Sequence, residues 1–203
     1  MAYVFCEGGS WLIWRAKDFT VIREHNIIGI PSLTAPAFPQ QTKFLALPVE
    51  LMPCEAKWLY EHGICRLVSA QFKDIDNTAE IIPKYTELVY ADREDEYDVV
   101  DVAPPVVDDL LYMTYCELQG KGFWVTNGIK YGSDFALYQT APGSCHAFAL
   151  VWCQSGEFDT HQLIQKMRVS ESTKKTFLIA FKFNETVKFV DVKRHKDTLD
   201  DEA

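Results

Sequence analysis

Apolar residues in this chain arrive in short runs cut by glycine and proline, and that punctuation constrains the fold more than any other feature. The stretch from Gly120 to Leu150, GKGFWVTNGIKYGSDFALYQTAPGSCHAFAL, shows it most clearly. Apolar patches at residues 123–126 and 135–138 are separated by Gly128 and Gly132, and Pro142-Gly143 precedes a third run at 146–153. Runs this short, rich in β-branched and aromatic residues, read as strands. The glycines mark tight turns that could present strand ends to one cleft. Every apolar run falls far short of the roughly 20 residues a membrane-crossing helix needs, so no membrane partner is expected.

Helical spacing is interleaved with these strands. Residues 16–25 carry Phe19, Ile22 and Arg23 at helical intervals. Residues 48–63 form the best helix of the first half, with Pro53 in its first turn, Ala56, Leu59 and Tyr60 on one face, and Gly63 as a stop. Residues 3–5 and 10–14 read as a hairpin around Glu7-Gly8-Gly9, and residues 65–70 as a short strand. Asp108 and Asp109 start a helix that buries Leu110, Leu111, Thr114, Tyr115 and Leu118 and ends at Gly120. A helix at 159–170 and strands at 176–183 and 186–192 complete the pattern. Short strands mixed with helices give an α/β (α+β) class. The expected organisation is a small mixed α/β domain at 1–91, an acidic proline-containing linker at 92–106, and a second domain at 107–203 with a mixed sheet flanked by helices.

Composition narrows the chemistry. The chain has 203 residues and 48% hydrophobic content, enough for a packed core. Six cysteines without CxxC spacing argue against a disulfide framework or a zinc site, so small buried thiols in a reducing compartment are expected. The N-terminus, MAYVFCEGGSWLIW, reads as strand and turn and not as a secretory signal. The net charge of −9 runs against nucleic-acid binding, but the excess is confined to the first half. Residues 1–109 hold 18 acids and 9 bases, whereas residues 110–203 hold 11 of each.

Three polar residues in the second half have the types that RNA cleavage through the 2′-hydroxyl requires. Tyr138 closes a strand, His146 lies across the Pro-Gly turn, and Lys175 stands at the entrance to the strand at 176–183. A histidine titrates near neutrality and can protonate a leaving group, and a lysine is a compact charge suited to phosphate oxygens. A tyrosine's ordinary pKa of about 10 requires a cationic neighbour before it can act as a base. The same residues also suit bland roles: a tyrosine at a core rim, a structural histidine, a solvated Lys174-Lys175 pair. Acids and histidines show no ligand spacing, so no cofactor or metal is expected.

GFWVTNGIKYGSDFALY, followed by His146 and STKKTFLIA, resembles the catalytic domain of the tRNA-splicing endonucleases, whose pattern is GY-V-x-x-G-x-K-F/Y-G-x-DF-x-x-Y, a nearby histidine, and a lysine after S-x-R/K. The segment LALPVELMPCEAKWLYEHGICRLVSA is similar to the eukaryotic catalytic subunit that cuts the 3′ splice site. The resemblance implies Tyr138 as general base, His146 as general acid and Lys175 as the cation that steadies the transition state. It also implies metal-free production of 2′,3′-cyclic phosphate and 5′-hydroxyl ends. Lys130, Gly132 and Asp134 belong to the motif and would frame the fold.

The implied partners are intron-containing pre-tRNA, a small structural subunit docked on the C-terminal strand, and a second catalytic subunit with its own structural partner, in the nucleus. Lys121, Lys130, Lys166, Arg168, Lys174, Lys193 and Arg194 are candidates for holding the tRNA body. Some relatives grip a base between an arginine after the histidine and a C-terminal tryptophan. Here Ala147 follows His146 and the tail has no tryptophan, which leaves Arg194 as a candidate for part of that grip. The alternatives are a non-catalytic subunit of the same assembly, a metal-dependent nuclease using Asp134 and Glu157, and an interaction module using the acidic segment.

Overall fold

A computed structural model describes residues 1–31, 48–72 and 97–193. The chain divides into two compact units, Met1–Asp108 and Asp109–Ala203. Each is a mixed α/β unit built on its own sheet, and together the described residues hold four α-helices. No described helix is long and apolar enough to cross a membrane.

In the first unit, β1 (Ala2–Glu7) and β2 (Ser10–Ile13) form the expected hairpin, with Glu7 opposite Ser10. Helix α1 (Ala16–Arg23) follows, then β3 (Ile30–Pro31), β4 (Val49–Leu51), α2 (Pro53–Glu61), β5 (Cys65–Phe72) and β6 (Tyr97–Asp101). The sheet order is β3-β4-β2-β1-β5-β6, and β1 and β5 are its parallel pair. One face buries Val4, Trp11, Ile13 and Leu67 against Ile22 of α1 and Ala56 and Leu59 of α2. The opposite face buries Phe5, Leu12, Trp14 and Val68.

Two expectations need correction here. The helix expected over 48–63 begins only at Pro53, because residues 49–51 pair with β2 and β3. Part of the expected linker, residues 97–101, is strand β6, antiparallel to β5. Its acids are compatible with a strand because β6 lies at the sheet edge, where charge discourages further pairing. Asp101 also accepts from the Nε and Nη2 of Arg66, at 2.8–3.0 Å. Residues 45–47 of the LALPVELMP segment and 92–96 of the linker lie outside the described residues.

The second unit runs α3 (Asp109–Gly120), β7 (Trp124–Asn127), a 3-10 turn (Ile129–Tyr131), β8 (Phe135–Tyr138), β9 (Ala149–Cys153), α4 (Thr160–Ser172), β10 (Thr176–Phe183) and β11 (Thr186–Asp191). The strand order is β11-β10-β9-β8-β7, all antiparallel except β9 with β10, which α4 connects. Strand alternation gives each helix a face. Ala136, Tyr138, Leu150, Trp152, Phe177 and Ile179 form one cluster, packed by Leu163 and Met167 of α4. Phe135, of opposite parity, meets Tyr115 of α3 with ring centroids 6.1 Å apart. None of the six cysteines is in a disulfide; Cys54 and Cys65 are buried as expected, whereas the other four are only partly buried.

The strand expected from residue 146 starts at Ala149 instead. Ala147 and Leu150 enter the same cluster although they are three residues apart, which breaks the two-residue alternation of a strand. Phe148 turns away to meet Phe123, at 5.5 Å between centroids. The backbone nevertheless stays tied to both neighbours, through Phe148 N–H to the Leu137 carbonyl and Thr176 N–H to the Phe148 carbonyl, each at 2.9 Å.

Glu55 supplies a pH test of the first unit. It is fully buried at the start of α2, accepts from the Met52 N–H at 2.7 Å and is also bonded by the Gly29 backbone. Burial pushes its carboxyl up from 4.5 to about 8, against these two bonds, which pull it down. The folded chain then keeps a proton that the unfolded chain loses. This contribution to stability is complete below the unfolded value of 4.5 and is lost as pH rises through about 8. Glu55→Gln should flatten that decline, by on the order of a few kcal/mol. Urea unfolding of parent and variant near pH 5 and near pH 9 measures it, and identical pH slopes would contradict it.

Candidate active site

The turn between β7 and β8 is built almost wholly from its own backbone. Tyr131 N–H and Ser133 N–H both donate to the Gly128 carbonyl, at 2.8 and 3.2 Å, while Gly128 N–H donates to the Asp134 carbonyl at 2.9 Å. The Asn127 carboxamide accepts from Ile129 N–H at 2.8 Å. Gly132 closes the 3-10 turn at φ 67°, in the left-handed region. A Cβ on Gly128 would stand 2.5 Å from the Ser133 hydroxyl and 2.9 Å from the Phe135 backbone carbon, so the chain crosses itself there too closely for any side chain.

Asp134 then ties the turn to the sheet. Its carboxylate accepts from Cys153 N–H at 2.7 Å, and its own N–H donates to the Val151 carbonyl at 2.9 Å. The framing role expected of Gly132 and Asp134 has this physical content, and the Asp134 carboxylate is spent on backbone. The Lys166 ammonium donates to the Gly132 carbonyl and lies 4.8 Å from the Trp152 ring centre, which fixes α4 to the same turn.

The turn delivers Tyr131 into the cluster that contains Tyr138. Tyr138 ends β8 and is 8% exposed. Ladder register places Leu137 opposite Ala149, and Ala149 opposite Thr176. The paired registers stop there, and the next residues toward this end are Tyr138, which closes β8, and Phe148 and Lys175, which stand just before β9 and β10. Tyr138 shares its parity with Ala136, and Lys175 shares its parity with Phe177 and Ile179, the residues of the α4-side cluster.

Lys175 reaches this end of the sheet through the end of α4. Thr173 caps the helix, Lys174 adopts φ 54°, and the Lys175 N–H returns to the Ser170 carbonyl at 2.8 Å. This is the usual left-handed helix ending with lysine in place of glycine, a conformation that costs a side chain roughly 1 kcal/mol. The Lys175 ammonium donates to the Thr173 carbonyl at 3.2 Å and lies 5.3 Å from the Tyr131 ring centre. A groove of about 250 Å³ opens beside it, lined by Ser170, Lys174, Thr176, Asp191 and Lys193 among others.

His146 is exposed on the loop between β8 and β9, and both its neighbours, Cys145 and Ala147, pack into the Tyr138 cluster. The loop is pinned locally. The Thr140 hydroxyl meets the Cys145 sulfur at 3.1 Å, which draws the thiol below its ordinary range, and Ser144 N–H donates to the Ala141 carbonyl at 3.0 Å. All three candidate residues therefore stand at one end of one sheet. Sequence reasoning passed over Tyr131, although the motif allows only phenylalanine or tyrosine at that position.

The wider set of basic candidates divides. Lys121 is paired with Glu117, Lys193 with Asp191 at 2.8 Å, and Lys166 with the turn. Lys130 is exposed, with its ammonium 4.8 Å from the Tyr131 ring centre, and Arg168 is exposed on α4. Arg194 lies outside the described residues. Among the described residues no three His, Cys, Asp or Glu side chains form a group that could hold a metal ion.

Comparison with known proteins covers both units. Residues 2–70 match the TSEN34-like, N-terminal domain, and residues 109–189 match the tRNA intron endonuclease, catalytic C-terminal domain. A protein of Saccharolobus solfataricus named tRNA-splicing endonuclease is 32% identical over 144 residues, covering 70% of each chain. One of the same name from Saccharolobus islandicus is 29% identical over 159 residues, covering 75% of this chain and 76% of its own. Another from Hyperthermus butylicus is 40% identical over 74 residues, covering 36% of this chain and 41% of its own.

The two turn glycines should differ in cost. Gly128→Ala forces a Cβ into backbone and should destabilise the chain by about 1–3 kcal/mol. Gly132→Ala meets open space and should cost only the left-handed penalty, about 1 kcal/mol. Thermal unfolding of the two variants compares them directly, and a Gly132 variant that is the less stable of the pair would contradict the geometry.

Proposed function

We propose, for a chain that belongs to the tRNA-splicing endonuclease family and is therefore an endonuclease, that it is the catalytic subunit cutting intron-containing pre-tRNA at the 3′ splice site. The observation that carries this reading is the convergence of Tyr138, the His146 loop and Lys175 at one end of the β8-β9-β10 ladder. The subunit type rests on the first unit, where residues 2–70 match the TSEN34-like domain and LPVELMPCEA resembles subunits that cut the 3′ site.

In the proposed reaction the 2′-oxygen bonds to phosphorus as the bond from phosphorus to the 5′-oxygen breaks. Tyr138, as the base, takes the 2′ proton, and His146 gives a proton to the departing 5′-oxygen. Lys175 sets its positive charge against the non-bridging oxygens, where charge accumulates in the transition state. The products are a 2′,3′-cyclic phosphate and a 5′-hydroxyl, and protons exchanged with solvent reset the two groups. No metal ion takes part. RNA recognition at an exposed bulge would present the 2′-hydroxyl and unstacked bases that this geometry needs.

The chain works in a nuclear heterotetramer of two catalytic and two structural subunits. Its docking strand is β11, one of the two edge strands of the second unit, whose outer side would pair with the small structural partner.

Cleavage of pre-tRNA by the reconstituted complex in EDTA tests this reading. Tyr138→Phe, His146→Ala and Lys175→Ala should each lower 3′-site cleavage by at least about 100-fold while cutting at the other splice site continues. The parent should leave cyclic phosphate ends. Unchanged 3′ cutting in all three variants would move the chemistry to another subunit, and loss of parental activity in EDTA would overturn the metal-free mechanism.

A further inference from the structure

The way Lys175 is held is unusual for a lysine that must present charge. Among the described residues no carboxylate pairs with it, although Glu171 and Asp191 line the same groove. Its ammonium has one hydrogen bond, to the Thr173 carbonyl at 3.2 Å, and one further neighbour of note, the Tyr131 ring, whose centre is 5.3 Å away. That ring is itself fixed. It sits at the end of the 3-10 turn, tied by its N–H to Gly128, and it packs against the Tyr138 cluster.

We propose that Tyr131 is a positioning residue for Lys175, and that the face of its ring, not its hydroxyl, holds the ammonium at the scissile phosphate. The inference rests on the reading that Lys175 meets that phosphate. A carboxylate would anchor the lysine equally well, but it would cancel the charge that the transition state needs. An aromatic face attracts a cation through its quadrupole and brings no full negative charge, so the ammonium is localised and its field remains available to the substrate. Lys130 lies 4.8 Å from the same ring centre, so two cations share this ring. The rigid turn at Gly128 and Gly132 is then the device that sets the position of Lys175 from the other side of the cluster.

Fluorination separates electrostatics from shape, because it drains the ring face of negative potential while changing ring size little. The assembled complex would carry phenylalanine, then mono-, di- and trifluorophenylalanine, at position 131, and single-turnover cleavage at the 3′ site would be measured. Tyr131→Phe should cleave close to the parental rate. The fluorinated series should lose rate in steps, by about 2- to 30-fold in total, with KM nearly unchanged. The same series in a Lys175→Ala background should be flat. A flat series in the parent background, with Lys175→Ala itself still impaired, would overturn the role of Tyr131 and leave that of Lys175 intact. A Lys175→Ala chain cutting at the parental rate would overturn the underlying reading and this inference with it. A purely structural tyrosine would show loss in Tyr131→Leu with no fluorine dependence, which also counts against the proposal.

Discussion

The parallel pairing of β9 with β10 is the constraint on which the candidate site depends. An antiparallel β8-β9 pair places the end of β8 beside the start of β9. A third strand laid parallel to β9 starts at that same end, and the crossover through α4 makes this possible. The last residue of β8, the loop into β9 and the residue before β10 are thereby gathered together, although 37 positions of sequence separate Tyr138 from Lys175. An antiparallel β10 would carry Lys175 to the far end of the sheet.

Helices and turns refine what the ladder brings together. On one side of this end, the left-handed residue Lys174 ends α4 and turns Lys175 back onto the sheet. On the other, the Gly128 crossing and the Asp134 bond to Cys153 set Tyr131 against the same cluster. These are short-range, directional bonds within rigid elements, the kind of support that holds a reactive group in place. The first unit solves a different problem. Its Arg15–Asp18 pair, with contacts of 2.5 and 3.1 Å, and the carboxyl of Glu55 are taken out of water where α1 and α2 begin, and each is satisfied by a partner nearby.

Much of this architecture could be read locally. Gly8-Gly9 between apolar runs signalled the first hairpin, Gly63 marked the end of α2, and Asp109 and Gly120 marked the limits of α3. These are features whose cause lies within a few residues. What escaped the reading depended on partners distant in sequence. Strand β6 hid in an acidic stretch because pairing with β5, not its own composition, makes it a strand. The start of β9 was misplaced because Ala147 and Phe148 obey the packing of two different faces and not an alternating pattern. Tyr138, His146 and Lys175 were visible as chemistry-bearing types in a recognisable motif. The part played by Tyr131 was not, since a cation over a ring leaves no trace in local spacing.

The central claim is that this chain holds the acid for the departing 5′-oxygen at the 3′ splice site, and a substrate with a sulfur in that bridging position tests it most directly. A thiolate leaves without protonation, so a complex carrying His146→Ala should cut the sulfur-substituted pre-tRNA at close to the parental rate while still failing on the natural one. Complexes carrying Tyr138→Phe or Lys175→Ala should gain no comparable rescue, since the roles proposed for them lie in attack and in charge stabilisation. If His146→Ala remained equally impaired on both substrates, His146 would not be the acid and the assignment of the site would be contradicted.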